Sequence, residues 1–92
     1  QMNSKLVEEN SEGFAARLLA AYADDRARVD AAHRMATGRG ASAELQGRAA
    51  QYLSAAQVAL QKAGEVEESH RRKALASYLR ALLASNEFLF VD

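Results

Sequence analysis

The chain lacks several residue types whose absence limits both its fold and its chemistry. Its 92 residues include no cysteine, no proline, no tryptophan and only five glycines. Without cysteine, the chain holds no disulfide, thiolate metal site, covalently attached haem or cysteine nucleophile of its own. β-Sandwiches and β-barrels need turn residues at short, regular spacing, so the scarcity of glycine and proline argues against both classes.

A long uninterrupted apolar run and a signal-peptide pattern are also missing from these residues. We therefore expect a soluble piece of protein that does not insert into a membrane. The chain starts with Gln1 rather than methionine, which we interpret as the start of an excised C-terminal fragment of a larger protein. Any targeting segment would then precede it.

The residues that are present favour a single all-α domain spanning residues 1–92. Hydrophobic residues make up 49% of the chain and charged residues 26%, proportions typical of globular rather than disordered chains. Much of the apolar share is alanine, which favours helix but fills little core volume. We predict a small bundle of about four helices with short connections and a thin core.

Charge is balanced overall but unevenly distributed. The formal net charge is zero, which argues against nucleic acid as the main ligand. Acidic residues dominate residues 1–25, and basic residues dominate residues 26–64. The basic stretch could contact an acidic partner or phosphates, but surface charges are usually solvated or paired locally. We favour pairing of the basic second helix with the acidic first one.

Hydrophobic periodicity and capping residues predict four helices. The first covers about Ser4 to Tyr22 with Asn3 or Ser4 as N-cap, and the second covers about Asp25 to Thr37, with Asp24-Asp25 supplying its N-cap. The third runs from the N-cap Ser42 to about Lys62, and the fourth begins among Glu65, Glu67 and Glu68. Gly38 follows the second helix, as a left-handed C-terminal cap would, and Gly64 is the natural stop of the third helix. A break of the first helix near Asn10 and Ser11 is an alternative that the pattern leaves open.

The same periodicity predicts which side chains face the core. The inward faces carry, in chain order, Val7, Phe14, Leu18 and Tyr22; Val29, Ala32, His33 and Ala36; Leu45, Ala49, Leu53, Ala56 and Leu60; and Leu75, Tyr78, Leu79, Leu82 and Leu83. Short connections favour antiparallel packing of successive helices, and facing alanines let their axes approach closely.

The last residues form an apolar C-terminal tail. We expect Ser85 or Asn86 to end the fourth helix or cap a final turn. Phe88, Leu89 and Phe90 then fold back onto the bundle, where they add volume that alanine does not supply. The three side chains cannot all face one way, so one of them is exposed or covered by the parent protein.

No constellation of residues points to a reaction. His33 and His70 fall on different helices without a second ligand at helical spacing, and we interpret them as structural and solvent-exposed, respectively. The serines lack a glycine elbow, and Gly38-Arg39-Gly40 lacks the length and the lysine of a phosphate loop. We therefore predict no catalytic, metal-binding or cofactor-binding residue, and no enzymatic activity.

Three stretches together resemble a known family. They are Met2-Asn3-Ser4 with Val7 and Phe14-Ala15-Ala16-Arg17-Leu18-Leu19, the run from Arg28 to Arg39, and Leu82-Leu83-Ala84-Ser85-Asn86-Glu87-Phe88-Leu89-Phe90-Val91-Asp92. They look like blocks of the planctomycete-type C-terminal domain of unknown function, which closes large exported bacterial proteins that often carry a cytochrome-c-like region.

The resemblance has departures as well as implications. The family tends to have prolines where Gly40 and Ala41 stand, tyrosine at the position of His33 and asparagine at that of Ala84. The resemblance implies a periplasmic or cell-surface protein and no known reaction. It also implies that the fragment is the tail of a larger domain, so that part of its surface is normally covered.

These observations favour a non-catalytic structural or protein-interaction subdomain without a cofactor. Its partner would be the remainder of the parent polypeptide or another protein, and homo-oligomerisation stays open. The candidate contact residues are Asn3, Arg39, Asn86, Glu87, Phe88 and Phe90. One alternative makes Asn3, Arg39, Asn86 or Glu87 contributors to an active-site wall that upstream regions complete. A second alternative is a freestanding helical adaptor that self-associates.

Overall fold

The computed structural model describes the backbone of residues 4–89 and the side chains of residues 10–85. Within that range the chain forms four helices and no strand: α1 (Ser4–Ala21), α2 (Asp25–Thr37), α3 (Ala43–Lys62) and α4 (Glu67–Leu89). The predicted all-α bundle with short connections is therefore confirmed. α4 packs against each of the other three helices, and its most extensive contacts are with α1 and α3.

α1 runs without interruption through Asn10 and Ser11, so the alternative of a broken first helix is wrong. Ser11 is fully buried, and Nη1 of Arg80 lies 3.2 Å from its Oγ. This contact with α4 lets a polar side chain occupy an inward position of the helix. The helix ends at Ala21, one residue before the predicted end.

Local capping signals place the ends of α2 where the sequence predicts them. Oδ1 of Asp24 accepts a hydrogen bond from the N–H of Ala27 at 2.9 Å, which satisfies one of the free donors at the start of the helix. Gly38 has φ of 82° and its N–H donates to the carbonyl of Arg34 at 2.9 Å. The left-handed backbone at this position explains the glycine.

The helical hairpin of α3 and α4 is also defined by local signals. Oγ of Ser42 accepts from the N–H of Leu45 at 3.2 Å and caps α3. At its other end, Gly64 has φ of 80°, its N–H donates to Gln61, and the N–H of Glu65 donates to the carbonyl of Leu60. This pair of hydrogen bonds is the Schellman motif, which ends α3 and starts the turn into α4.

α4 continues to Leu89, so the expectation that Ser85 or Asn86 ends it is wrong. Oγ of Ser85 donates to the carbonyl of Ala81 at 3.1 Å, a bond that serine makes inside a helix as well as at its end. The short polar side chain therefore does not stop the helix. Packing of the tail on the bundle stays a prediction, because side chains from residue 86 onward lie outside the described residues.

The core is thin, as the alanine content predicts. Its buried apolar side chains are Ala15, Leu18, Val29, Ala31, Ala32, Ala49, Leu53, Ala74, Leu75, Ala76 and Leu79. More than half of these are alanine, and the largest that are fully buried are Leu75, Leu79 and Val29. Close approach of the helices supplies contact that larger side chains would otherwise provide.

Most side chains predicted to face inward are buried or half-buried, but Leu45 and Tyr22 are exceptions. They are 36% and 38% exposed, respectively. In the first turn of α3, Gln46 takes the inward position instead, and its Nε2 donates to the carbonyl of Arg26 at 2.9 Å. Val7, a further predicted core residue, lies outside the described side chains.

Ion pairs among the described side chains are mostly local, and none of them joins α1 to α2 as expected. Four of the five pairs among the described side chains join residues on one helix or flanking one turn: Arg28–Asp25, Arg34–Asp30, Arg48–Glu44 and Lys73–Glu65. The fifth joins Glu12 of α1 to Arg72 of α4 at 3.2 Å. Glu12, the acidic residue of α1 whose side chain is described, therefore pairs with α4.

Candidate functional site

The side chain of one predicted contact residue, Arg39, is described. Arg39 is exposed in the connection between α2 and α3, and its backbone N–H donates to Oγ1 of Thr37 at 3.2 Å. The structure brings no other predicted contact residue beside it within the described side chains. The remaining predicted contact residues fall outside them: Asn3, Asn86, Glu87, Phe88 and Phe90.

An open groove between α1, α2 and α4 has a predominantly apolar lining and a volume of ≈ 410 Å³. We call it the apolar groove. Leu79, Leu82 and Leu83 come from α4, and Ala32, Met35 and Ala36 come from α2. The α1 wall is formed by Asn10, Phe14 and Arg17.

Helix periodicity explains why these side chains meet. Phe14 and Arg17 are three residues apart on α1, as are Ala32 and Met35 on α2, and such pairs share a helix face. Met35 is 64% exposed, although it lies at the edge of the buried face that Ala32 and Val29 form. A large apolar side chain at this position leaves contact surface that the bundle itself does not cover.

Sequence reasoning did not single out Met35 or Arg17, although a signal was present. Met35 stands between His33 and Ala36 of α2, which were both predicted to face inward. Methionine is flexible and polarizable, which suits an adaptable contact surface better than a fixed core. An apolar residue at the margin of a buried stripe is therefore the pattern that could have identified the groove.

A second group of side chains joins α2, α3 and α4 through hydroxyl and imidazole groups. Nε2 of His33 and the hydroxyl of Tyr78 share a hydrogen bond of 2.7 Å, and the hydroxyls of Tyr52 and Ser77 share one of 2.5 Å. The Tyr52 and Tyr78 rings meet edge to face with centroids 5.5 Å apart. We call these four residues the polar seam.

Burial shifts the pKa values of two groups in the polar seam, His33 and Tyr78. His33 is 5% exposed, and burial lowers the pKa of its imidazole, an effect that the nearby Asp30 carboxylate partly opposes. Burial also raises the pKa of the Tyr78 hydroxyl. Both shifts favour the neutral forms, so the hydrogen bond between the two rings joins uncharged groups near neutral pH.

Asp30 holds the connection between α2 and α3 in place. Its Oδ1 accepts from the N–H of Ala41 at 3.0 Å, and its Oδ2 accepts from Nε of Arg34 at 2.9 Å. The hydrogen bonds from Arg34 and Ala41 hold the pKa of Asp30 below its ordinary value. A Cβ at Gly40 would clash with this carboxylate, and a proline at position 41 would lack the N–H that Asp30 accepts.

Two further grooves carry charges of both signs. The larger, ≈ 1210 Å³, lies beside the start of α4 and is lined by charged residues that include Asp25, Arg28, Glu67 and Arg71. Arg28 is almost fully buried there, with Nε donating to the carbonyl of Tyr22 and Nη1 to Asp25. These two bonds explain the burial of Arg28, because they join the chain at the end of α1 to the start of α2.

The third groove, ≈ 540 Å³, lies between α3 and α4 and is lined by three alanines and Leu60 of α3, with three charged side chains, Glu12 of α1 and Lys73 and Arg80 of α4. Each of these charged side chains contacts another residue of the bundle: Arg72, Glu65 and Ser11, respectively. The charged groups of this groove are therefore explained by contacts within the bundle.

The described side chains include no group of three histidine, aspartate or glutamate residues positioned to hold a metal ion. Over the same range, no helix combines the length and the apolar character that a membrane span requires. No protein-family model, curated protein or solved structure matches this chain.

Proposed function

We propose that this chain is a non-catalytic helical module that binds a helical segment from outside residues 1–92 in the apolar groove. The observation that carries the proposal is the exposure of Met35 at the edge of a groove floored by Leu79, Leu82 and Leu83. Exposed apolar surface of this kind on a small domain is typical of an interaction site.

The dimensions of the groove suit one face of a helix. Its α1 wall extends from Asn10 to Arg17, which corresponds to about 10 Å along the helix axis. Apolar residues at positions i, i+3, i+4 and i+7 of a partner helix span the same length, two turns. Met35 adapts its conformation to such side chains more readily than a branched residue would.

The titratable groups support a structural rather than a catalytic role. The described residues with shifted pKa values are Asp30, His33, Glu65 and Tyr78. Each shift has a cause within the fold: the loop contact of Asp30, the seam for His33 and Tyr78, and the bond of Lys73 to Glu65. Perturbed groups that converge on a cleft would instead favour an active site.

The resemblance to the planctomycete-type C-terminal domain supports a finer proposal. On that basis, the module lies at the end of a large exported bacterial protein, and the partner helix belongs to the remainder of the same polypeptide. The complete reading frame of the gene tests this. An upstream region preceded by an export signal would support the proposal, and a frame beginning beside Gln1 would contradict it.

Docking in the apolar groove is tested with a synthetic peptide of about two to four helical turns, held helical by a lactam bridge. The probe carries leucines at i, i+3, i+4 and i+7, glutamines on both flanks and a fluorescent label. Met35→Glu is the test variant. Val66→Glu is the matched control, because Val66 is 65% exposed but lies outside the groove.

We expect saturable binding by the unmodified chain and by Val66→Glu, and at least a tenfold weaker affinity for Met35→Glu. Thermal unfolding should show that both variants keep their fold, since both positions are exposed. An equal loss of probe affinity in both variants would contradict docking in this groove. A concentration-dependent dimer in light scattering that Met35→Glu alone dissolves would favour the self-associating adaptor instead.

A further inference from the structure

The apolar groove has a charge asymmetry that the other grooves lack. Arg17 is the charged residue among the described side chains that line it, and none of them is acidic. The two other grooves include carboxylates, among them Asp25 and Glu67 in one and Glu12 in the other. A partner helix in the apolar groove therefore lies beside the positive charge of Arg17.

Arg17 is placed so that it faces the groove. Its guanidinium carbon lies 5.5 Å from the centroid of the Phe14 ring, a cation–π arrangement. Nη1 would lie 3.9 Å from a Cβ at Gly13, so the side chain folds back along α1 over the groove wall. The ion pairs among the described side chains do not include Arg17, which leaves its charge available at the rim.

We infer that the apolar groove selects an amphipathic helix whose apolar face is flanked by acidic residues, with Arg17 as the residue that recognises the flanking carboxylate. The inference rests on the proposed docking function and adds the charge of the partner to it. The Phe14 ring keeps the guanidinium of Arg17 beside the groove wall, and a guanidinium carries several N–H donors that suit a carboxylate. The same charge repels a helix with lysines on its flanks.

The effect on affinity is modest because Arg17 is exposed. An exposed ion pair changes a binding constant by roughly two- to fivefold, and the difference between attraction and repulsion is larger than either alone. We therefore expect a Glu-flanked probe to bind about five- to twentyfold more tightly than a Lys-flanked probe at low salt. High salt should reduce this ratio, since exposed charges are screened.

The experiment compares the Gln-flanked probe described above with versions that carry glutamate or lysine at the same flanking positions. Fluorescence anisotropy gives the affinity of each for the unmodified chain, for Arg17→Glu and for Arg48→Glu. Arg48 provides the matched control because its side chain is 72% exposed on α3, away from the groove, so that both variants change the net charge equally.

The inference predicts that Arg17→Glu reverses the preference, so that the Lys-flanked probe binds more tightly, while Arg48→Glu keeps the preference for glutamate. Equal effects of the two variants would overturn it, because overall charge would then explain the result. Binding of all probes with equal affinity would overturn the charge preference but leave groove docking intact. Failure of the Gln-flanked probe to bind the unmodified chain would overturn the docking function itself, and this inference with it.

Discussion

The two sides of α4 differ in how they meet the neighbouring helices: one side makes hydrogen bonds and the other leaves apolar surface open. Toward α2 and α3 lies the polar seam, where Tyr78 bonds to His33 and Ser77 bonds to Tyr52. Toward α1 and α2 lies the apolar groove, where Leu82 and Leu83 remain partly exposed. One helix therefore carries both a specific set of directional contacts and an open apolar surface.

The difference teaches how a thin core can keep a unique arrangement and still leave a surface for binding. Alanine contacts are small and permit sliding between helices, whereas hydrogen bonds at fixed positions do not. The seam fixes the register of α2, α3 and α4. The groove needs no such bonds because a partner can complete its burial.

The largest expected effect comes from Leu79, which is fully buried between the seam and the groove. Leu79→Ala should lower the free energy of unfolding by about 2–5 kcal/mol, because it removes contact from both sides and leaves a cavity. Met35→Ala is the control and should change stability by less than about 0.5 kcal/mol. Chemical denaturation measures both, and equal losses would show that the groove edge belongs to the core.

The seam should be sensitive to loss of a single hydroxyl. Tyr78→Phe removes the partner of the buried His33 ring nitrogen and should cost about 1–3 kcal/mol of stability. Tyr52→Phe should cost about 1 kcal/mol or less, since Tyr52 is 38% exposed and water can bond to Ser77 instead. If the two variants unfold at the same denaturant concentration, the seam does not have the internal role assigned to it.

Substitution of two glycines by alanine should have opposite effects on stability, because Gly13 lies within a helix and Gly38 has a left-handed backbone. At Gly13 a Cβ would meet its nearest neighbour at ordinary contact distance, so Gly13→Ala should stabilise the chain by up to about 1 kcal/mol. Gly38→Ala should destabilise it by about 1 kcal/mol, because φ there is 82°. Thermal melts check both signs. Destabilisation by Gly13→Ala would mean that the α1 wall of the groove is tightly packed at this position.

The smallest expected effect is a dependence of stability on pH through His33. Burial lowers the pKa of this imidazole in the fold relative to its ordinary value of about 6.5. The contribution of neutral, buried His33 to the free energy of unfolding is therefore fully present above about pH 6.5. It is lost as pH falls toward the lowered pKa of His33 in the folded chain. Unfolding between pH 7.5 and 5 should show this decline in the unmodified chain and in His70→Gln, and a flatter profile in His33→Gln. A decline that persists unchanged in His33→Gln would assign the dependence to another group.

Local signals in the sequence predicted the helices and several of their ends. Asp24, Gly38, Ser42 and Gly64 act within a few residues of their own position, so their roles follow from the pattern alone. The end of α4 was mispredicted because Ser85 bonds within the helix rather than stopping it. Leu45 was misplaced because Gln46 beside it finds a partner on α2.

The candidate site was less predictable, because it depends on contacts between distant residues. His33 and Tyr78 are 45 positions apart, and periodicity placed both on inward faces without pairing them. The apolar groove requires the relative placement of α1, α2 and α4, which no single helix specifies. The predicted tail packing and its residues Phe88 and Phe90 remain predictions.

The central claim, that α4 separates a structural seam from a binding groove, is tested most directly by amide NMR with the Glu-flanked probe. We expect chemical-shift changes at Phe14, Met35 and Leu83 that saturate with probe concentration, while the amide signals of Tyr52 and Ser77 stay unchanged. Shift changes centred on Tyr52 and Ser77, or spread equally over both sides of α4, would contradict it.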